Sequence, residues 1–285
     1  MFSNLVHLCL IRTVKSRWFP WGLALVLACF FIYVLSFYQV IHGDAPSNGD
    51  SADVTLQIAY GTVLATMNMN MFWQETLFSF ALVYFPFFAI INTAFMACDY
   101  YKYRLFINYE GAVSNKWKIV LADCCAISVF SFVLTILAGL LLMMGMLFGD
   151  TEFIPVVMTK SFIGSLLSLW FRIVEMSLLV YLFSQMTRSK AAGASLSIVF
   201  SIIYGMITNI LCGYLMGRSE ALSIPFDYDL FVCFTSPANY FSMALDSEAE
   251  PIRIGLLMTA GIVLLFQFVV VVVLSMIFAA RRREA

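Results

Sequence analysis

Six stretches of this 285-residue chain are nearly free of charge, and polar segments separate them. They cover about residues 18–41, 76–98, 119–148, 158–183, 191–216 and 254–280. About 20 helical residues cross the roughly 30 Å hydrocarbon core of a bilayer, so each run is long enough to span it. The pattern predicts an all-α, polytopic membrane protein: one transmembrane domain over residues 1–285, with six transmembrane helices. The first run is longer than the roughly 7–15 residues of a signal-peptide core and reads as a permanent span. Pro86 predicts a kink in the second span. Gly193, Gly205 and Gly213 allow close helix contacts along the fifth.

The polar segments differ in kind. Residues 1–17 interleave Arg12, Lys15 and Arg17 with Leu5, Leu8 and Ile11, which fits an N-terminal interfacial helix or a basic tail that orients the first span. Trp18 and Trp21 sit where interfacial aromatics belong. Residues 42–75 open with HGDAPSNGDSAD and contain no Lys or Arg, which reads as a solvated loop at its start. Residues 217–253 include IPFDYDLFVCFTSPANYFSMALD, too apolar for a free loop and too interrupted for a span. A pair of short helices dipping into the outer leaflet before the last span fits them best.

Charge then sets the orientation. Basic residues number three in 1–17, four in 99–118, two in 185–190 and three in 281–285, twelve of the 16 Lys and Arg. The bias of Lys and Arg toward cytoplasmic loops predicts both termini in the cytoplasm and a multi-pass protein of the cell membrane. Composition agrees: 62% of residues are hydrophobic and 12% charged, about half the charge of a soluble domain. The formal net charge of −1 carries no information about partners, because the charges are segregated.

Candidate chemistry is sparse. The seven Cys lie mostly in apolar runs, without zinc or disulfide spacing. The two His, His7 and His42, flank predicted membrane edges, and no HExxH, GxSxG or GxxxxGK[ST] motif occurs. The expectation is a chain with no catalytic, metal or cofactor site of its own and no nucleic-acid partner. Arg172 and Glu175 are the exception to the greasy pattern. They fall inside the fourth span, three residues apart, where each ionised group costs about 2.5–3.5 kcal/mol on insertion scales. They read as an intramembrane polar pair, either neutralising each other at a packing or subunit contact or lining a substrate path.

The segment from Asp99 to Lys118, DYYKYRLFINYEGAVSNKWK, is the long basic-aromatic stretch between spans two and three. Asp99, then Tyr109-Glu110-Gly111, then Ser114, then Lys116-Trp117-Lys118, open the third span. With the order of spans and loops, this pattern resembles the ABC-2 type permeases, the membrane subunits of bacterial ABC exporters, and among them the small permeases of lantibiotic-immunity and peptide-export systems. Asn115 departs from the pattern, where Arg is common, and leaves the basic role to Lys116 or Lys118.

The resemblance implies a cytoplasmic coupling helix. Tyr109, Glu110, Gly111, Ala112, Val113, Ser114, Lys116 and Lys118 would form the ATPase-coupling surface. It further implies a cytoplasmic ABC ATPase subunit that carries ATP and Mg, a second permease subunit (homo- or heterodimer), contact with membrane lipid, and outward movement of an amphipathic peptide, lipid or drug. The alternative from the residues is a non-transporting immunity or sensor protein that binds a toxin at 42–75 and 217–253.

Overall fold

A computed structural model describes residues 2–16, 18–42, 69–102, 116–148, 160–222, 226–246 and 254–280. These form α1 (Phe2–Lys15), α2 (Trp18–His42), α3 (Met69–Lys102), α4 (Lys116–Phe148), α5 (Lys160–Thr187), α6 (Lys190–Leu222), α7 (Tyr228–Thr235), α8 (Pro237–Asp246) and α9 (Ile254–Ala280). Six of them, α2 to α6 and α9, are long and apolar enough to cross a membrane. The chain is an all-α, multi-pass membrane protein.

Several helices run past their apolar stretch. α3 starts at Met69 and ends at Lys102, and α6 continues to Leu222. Hydropathy sets where a helix must be buried, whereas Glu, Met, Lys and Ala extend it for a turn or more on propensity alone. Pro86 lies inside α3, and helix is assigned on both sides of it. Some hydroxyls inside the spans serve their own helix: Ser131 Oγ donates to the Ile127 carbonyl at 2.8 Å and Thr135 Oγ1 to that of Ser131 at 2.9 Å. That bonding satisfies groups hydrocarbon cannot.

α5 is the central helix, packed against α3, α4, α6, α8 and α9. Side-chain burial separates centre from periphery. It reaches 67% of the span window in α3 and 56% in α4, against 17% in α2, 6% in α6 and 11% in α9. A dry aromatic core joins α2, α3, α4 and α5 through Phe30, Phe80, Phe85, Phe88, Phe130 and Phe162. Phe30 meets Phe80 edge-on at 5.6 Å, and Phe78 meets Phe162 at 5.8 Å, geometry that aromatic quadrupoles favour. Gly22 is what lets α2 lie on this core: a Cβ there would stand 2.5 Å from Phe88 Cε2.

The two short helices before the last span follow from local signals. Asp227 caps α7, its carboxylate accepting from the Leu230 amide at 3.1 Å. Ser236 ends α7, and Pro237 starts α8, where a missing N–H costs nothing. Their inner faces are apolar. Phe241 lies 4.9 Å from Phe171 of α5, and the Cys233 thiol donates to the Leu256 carbonyl of α9 at 3.2 Å. Burial pushes the Cys233 thiol above its ordinary pKa.

The turn between α5 and α6 is tighter than the expected 185–190. Helix continues to Thr187 and resumes at Lys190, with Arg188 in the left-handed region at φ 58°. Gly193 sets the approach of the two helices: a Cβ there would sit 2.7 Å from Ser184 Cα and 2.8 Å from its amide nitrogen.

Candidate functional site

Lys102 and Lys116 end and begin the two helices that flank residues 103–115, and α1 packs against both of these helices. The end of the bundle holding Lys102, Lys116 and the α5–α6 turn is the basic end. Its centre is Asp123, fully buried and two turns into α4. Tyr181 of α5, itself fully buried, donates its hydroxyl to Asp123 Oδ2 at 2.8 Å. Cys9 of α1 donates its thiol to Asp123 Oδ1 at 3.0 Å. One carboxylate therefore ties three helices that are 58 and 114 residues away in sequence.

α1 is held by more than this bond. Cys9 and Thr13 form its buried stripe. Thr13 Oγ1 donates to the Cys9 carbonyl at 3.0 Å and approaches Met96 Sδ of α3 at 3.4 Å. Arg12, between them, has both terminal guanidinium nitrogens buried. The opposite side of α1 exposes Phe2, Leu8, Ile11 and Val14 together with His7 and Lys15. A helix lying in a membrane interface has this division of apolar and basic residues. Next to it, Trp18 stacks on Phe95 at 5.4 Å, and Lys190 Nζ lies 4.1 Å from the same ring's centre.

Of the residues expected to couple to a motor, Tyr109, Glu110, Gly111, Ala112, Val113 and Ser114 lie outside the described residues. Lys116 is the first residue of α4. Lys118 is half-buried, with its ammonium 5.8 Å from the Trp117 ring centre. Arg172 and Glu175 sit in α5, away from the Asp123 cluster. Arg172 is exposed and Glu175 half-buried.

The Asp123 cluster is absent from the expectations drawn from sequence. Its signal was available: a carboxylate inside the apolar run 119–148 carries the same cost that singles out Glu175. Chemically the cluster is a clamp. A thiol and a phenol both donate to one acceptor, and no described group of three or more His, Cys, Asp or Glu side chains is arranged to hold a metal ion. No protein-family model matches the chain, and no curated protein matches it.

Proposed function

We propose that the chain is the permease subunit of an ATP-driven exporter of the ABC-2 type, powered by a separate cytoplasmic ATPase that docks on the 100–118 segment and brings ATP and Mg. In this reading the basic end faces the cytoplasm and two permease subunits pair in the cell membrane. The substrate is an amphipathic peptide, lipid or drug moved outward.

The observation that supports it is the position of Asp123. It lies seven residues into α4 from Lys116, about 10 Å along the helix axis. A push on the 103–115 segment enters α4 at its first turn. Because Cys9 and Tyr181 share the Asp123 carboxylate, that push passes to the interfacial helix α1 and to the central span α5 together. A docking site needs such a stiff link to the spans, and a segment held only to lipid headgroups does not.

The test is to co-express the chain with the ATPase encoded beside it and replace Glu110 to Ser114 with a Gly/Ser linker. Loss of ATPase association and of export together is the expected result. Association that survives the linker removes the docking proposal. Protection from a toxin that persists with a hydrolysis-dead ATPase favours the non-transporting alternative.

A further inference from the structure

Arg172 and Glu175 occupy the middle of a membrane span. The apolar window of α5 runs from Phe162 to Thr187, which puts Arg172 about 15 Å from its outer start at 1.5 Å per residue. Three residues apart, the two side chains are within range of a pair on one helix. Among the described residues no hydrogen bond or close ion pair joins them, although the Arg172 charge reaches Glu175 electrostatically within the chain. Arg172 is exposed on the outside of the bundle, and Glu175 is half-buried within electrostatic reach of Tyr204 on α6. A guanidinium at this depth is not covered by lipid tails without a large cost.

α6, beside them, has an unusual free side. Gly205, Asn209, Gly213 and Gly217 recur every four residues, so they share one side of the helix. A Cβ at Gly205, Gly213 or Gly217 would meet nothing within 4 Å. Asn209 is exposed at membrane depth. Small residues let helix backbones approach closely, and an amide between helices supplies hydrogen bonds that lipid cannot.

A patch that presents one positive and one negative group side by side is complementary to itself. Under a two-fold axis along the membrane normal, each Arg172 faces a Glu175 displaced by three residues, about 4.5 Å in height. An arginine side chain covers that distance. We propose that a second copy of this chain covers this face, with Arg172 of each protomer paired to Glu175 of the other. The inference rests on the reading that two permease chains pair, and it makes the pair a homodimer.

The test uses charge reversal in two differently tagged chains. Arg172→Glu gives a chain with two acids, and Glu175→Arg a chain with two bases. Each alone should lose self-association in membranes by at least tenfold, read as co-purification of one tag with the other. Mixed together they should recover it, because both cross-pairs are then opposite in sign. An ion pair within one chain predicts the reverse: each chain keeps its like charges, and mixing rescues nothing. That result, or single variants that still self-associate, overturns the proposal and leaves lipid or substrate as the occupant. Ile210→Cys, adjacent to Asn209 and 70% exposed, gives a readout that leaves both charges in place. A short bis-maleimide should join two such chains, in excess of the wild-type background, and a purely monomeric product would also overturn the proposal. A wild-type chain that self-associates but exports nothing with its ATPase counts against the permease reading and leaves the pairing standing.

Discussion

Replacing Asp123 with Ala removes the acceptor that two buried donors share, and the structure separates what each donor loses. Hydrogen bonds to a charged group contribute about 1.5–3 kcal/mol, and a buried donor left without a partner costs about 1–3 kcal/mol. The Tyr181 hydroxyl is fully buried, so its loss falls on the packing of α4 against α5. The Cys9 thiol is the weaker donor, and its bond holds α1. Removing the carboxylate also removes the penalty of burying it. We therefore expect about 2 kcal/mol of net destabilisation, of which the smaller share, about 0.7 kcal/mol, falls on the docking of α1.

The docking term has a direct reporter, because Cys9 is 3% exposed and reacts only when α1 opens. If opening and closing are fast compared with labelling, the labelling rate follows the open population. A change of 1.4 kcal/mol is tenfold in that population. In Asp123→Ala, where about half of that falls on α1, N-ethylmaleimide should therefore label Cys9 about threefold faster, quantified at that peptide by mass spectrometry. Cys233 is the internal control. Its thiol is buried among α7, α8 and α9 and bonded to Leu256, so its slow rate should not change. Asp123→Leu sharpens the test: an apolar replacement can leave overall stability near wild type, yet it still releases Cys9. A Cys9 rate within twofold of wild type in both variants would refute the clamp, whatever happened to the melting temperature.

Other substitutions probe the same frame. Tyr181→Phe keeps the ring and removes the donor, and should cost about 2 kcal/mol in thermal melting while raising Cys9 labelling less than Asp123→Ala does. Gly193→Ala should lower stability by about 1–3 kcal/mol, because the added methyl meets Ser184 backbone atoms. Adding Ser184→Gly should not rescue it, since the blocking Cα and amide remain. Arg188→Gly should raise stability by about 0.5–1 kcal/mol, since an L-residue at φ 58° pays for the left-handed region and Gly does not; a drop in melting temperature would show that the Arg188 side chain holds the turn.

What sequence made legible divides along the range of the interaction. The apolar runs, the basic end and the pair of short helices before the last span follow from local patterns: span length, Lys and Arg bias, the Asp227 cap and the Pro237 start. Helix ends at Met69 and Leu222 were not legible from hydropathy, because helix propensity outlasts the apolar run. The Asp123 clamp was out of reach in its details, since the depth of one carboxylate depends on a thiol 114 residues earlier. Arg172 and Glu175 show the limit of locality from the other side, for their charges do act on each other. Their spacing permits a pair within one helix, and only the packed structure places one outside the bundle and the other half within it.

The three peripheral spans are not equivalent, and the difference bears on which of them lipid covers. All three expose large apolar side chains, among them Trp21 and Leu25 on α2, Ile207 and Ile210 on α6, and Ile262 and Phe266 on α9. Lipid tails satisfy such faces completely. Open glycines do not distinguish the helices, since Gly255 and Gly261 of α9 are as unobstructed as Gly205; their spacing of six puts them on different sides, whereas the α6 glycines share one. Polar groups do distinguish them. Among the residues whose burial is described, α2 and α9 expose no charged or amide side chain, whereas α6 exposes Asn209 and α5, packed against it, exposes Arg172. A bilayer solvates the first two faces at no penalty and the third only at a large one. The asymmetry fits lipid over α2 and α9 and is why the proposed second copy is placed on the α5–α6 side. Disrupting that side by the charge reversals should leave Cys9 protected, because the Asp123 clamp depends on α1, α4 and α5 of a single chain.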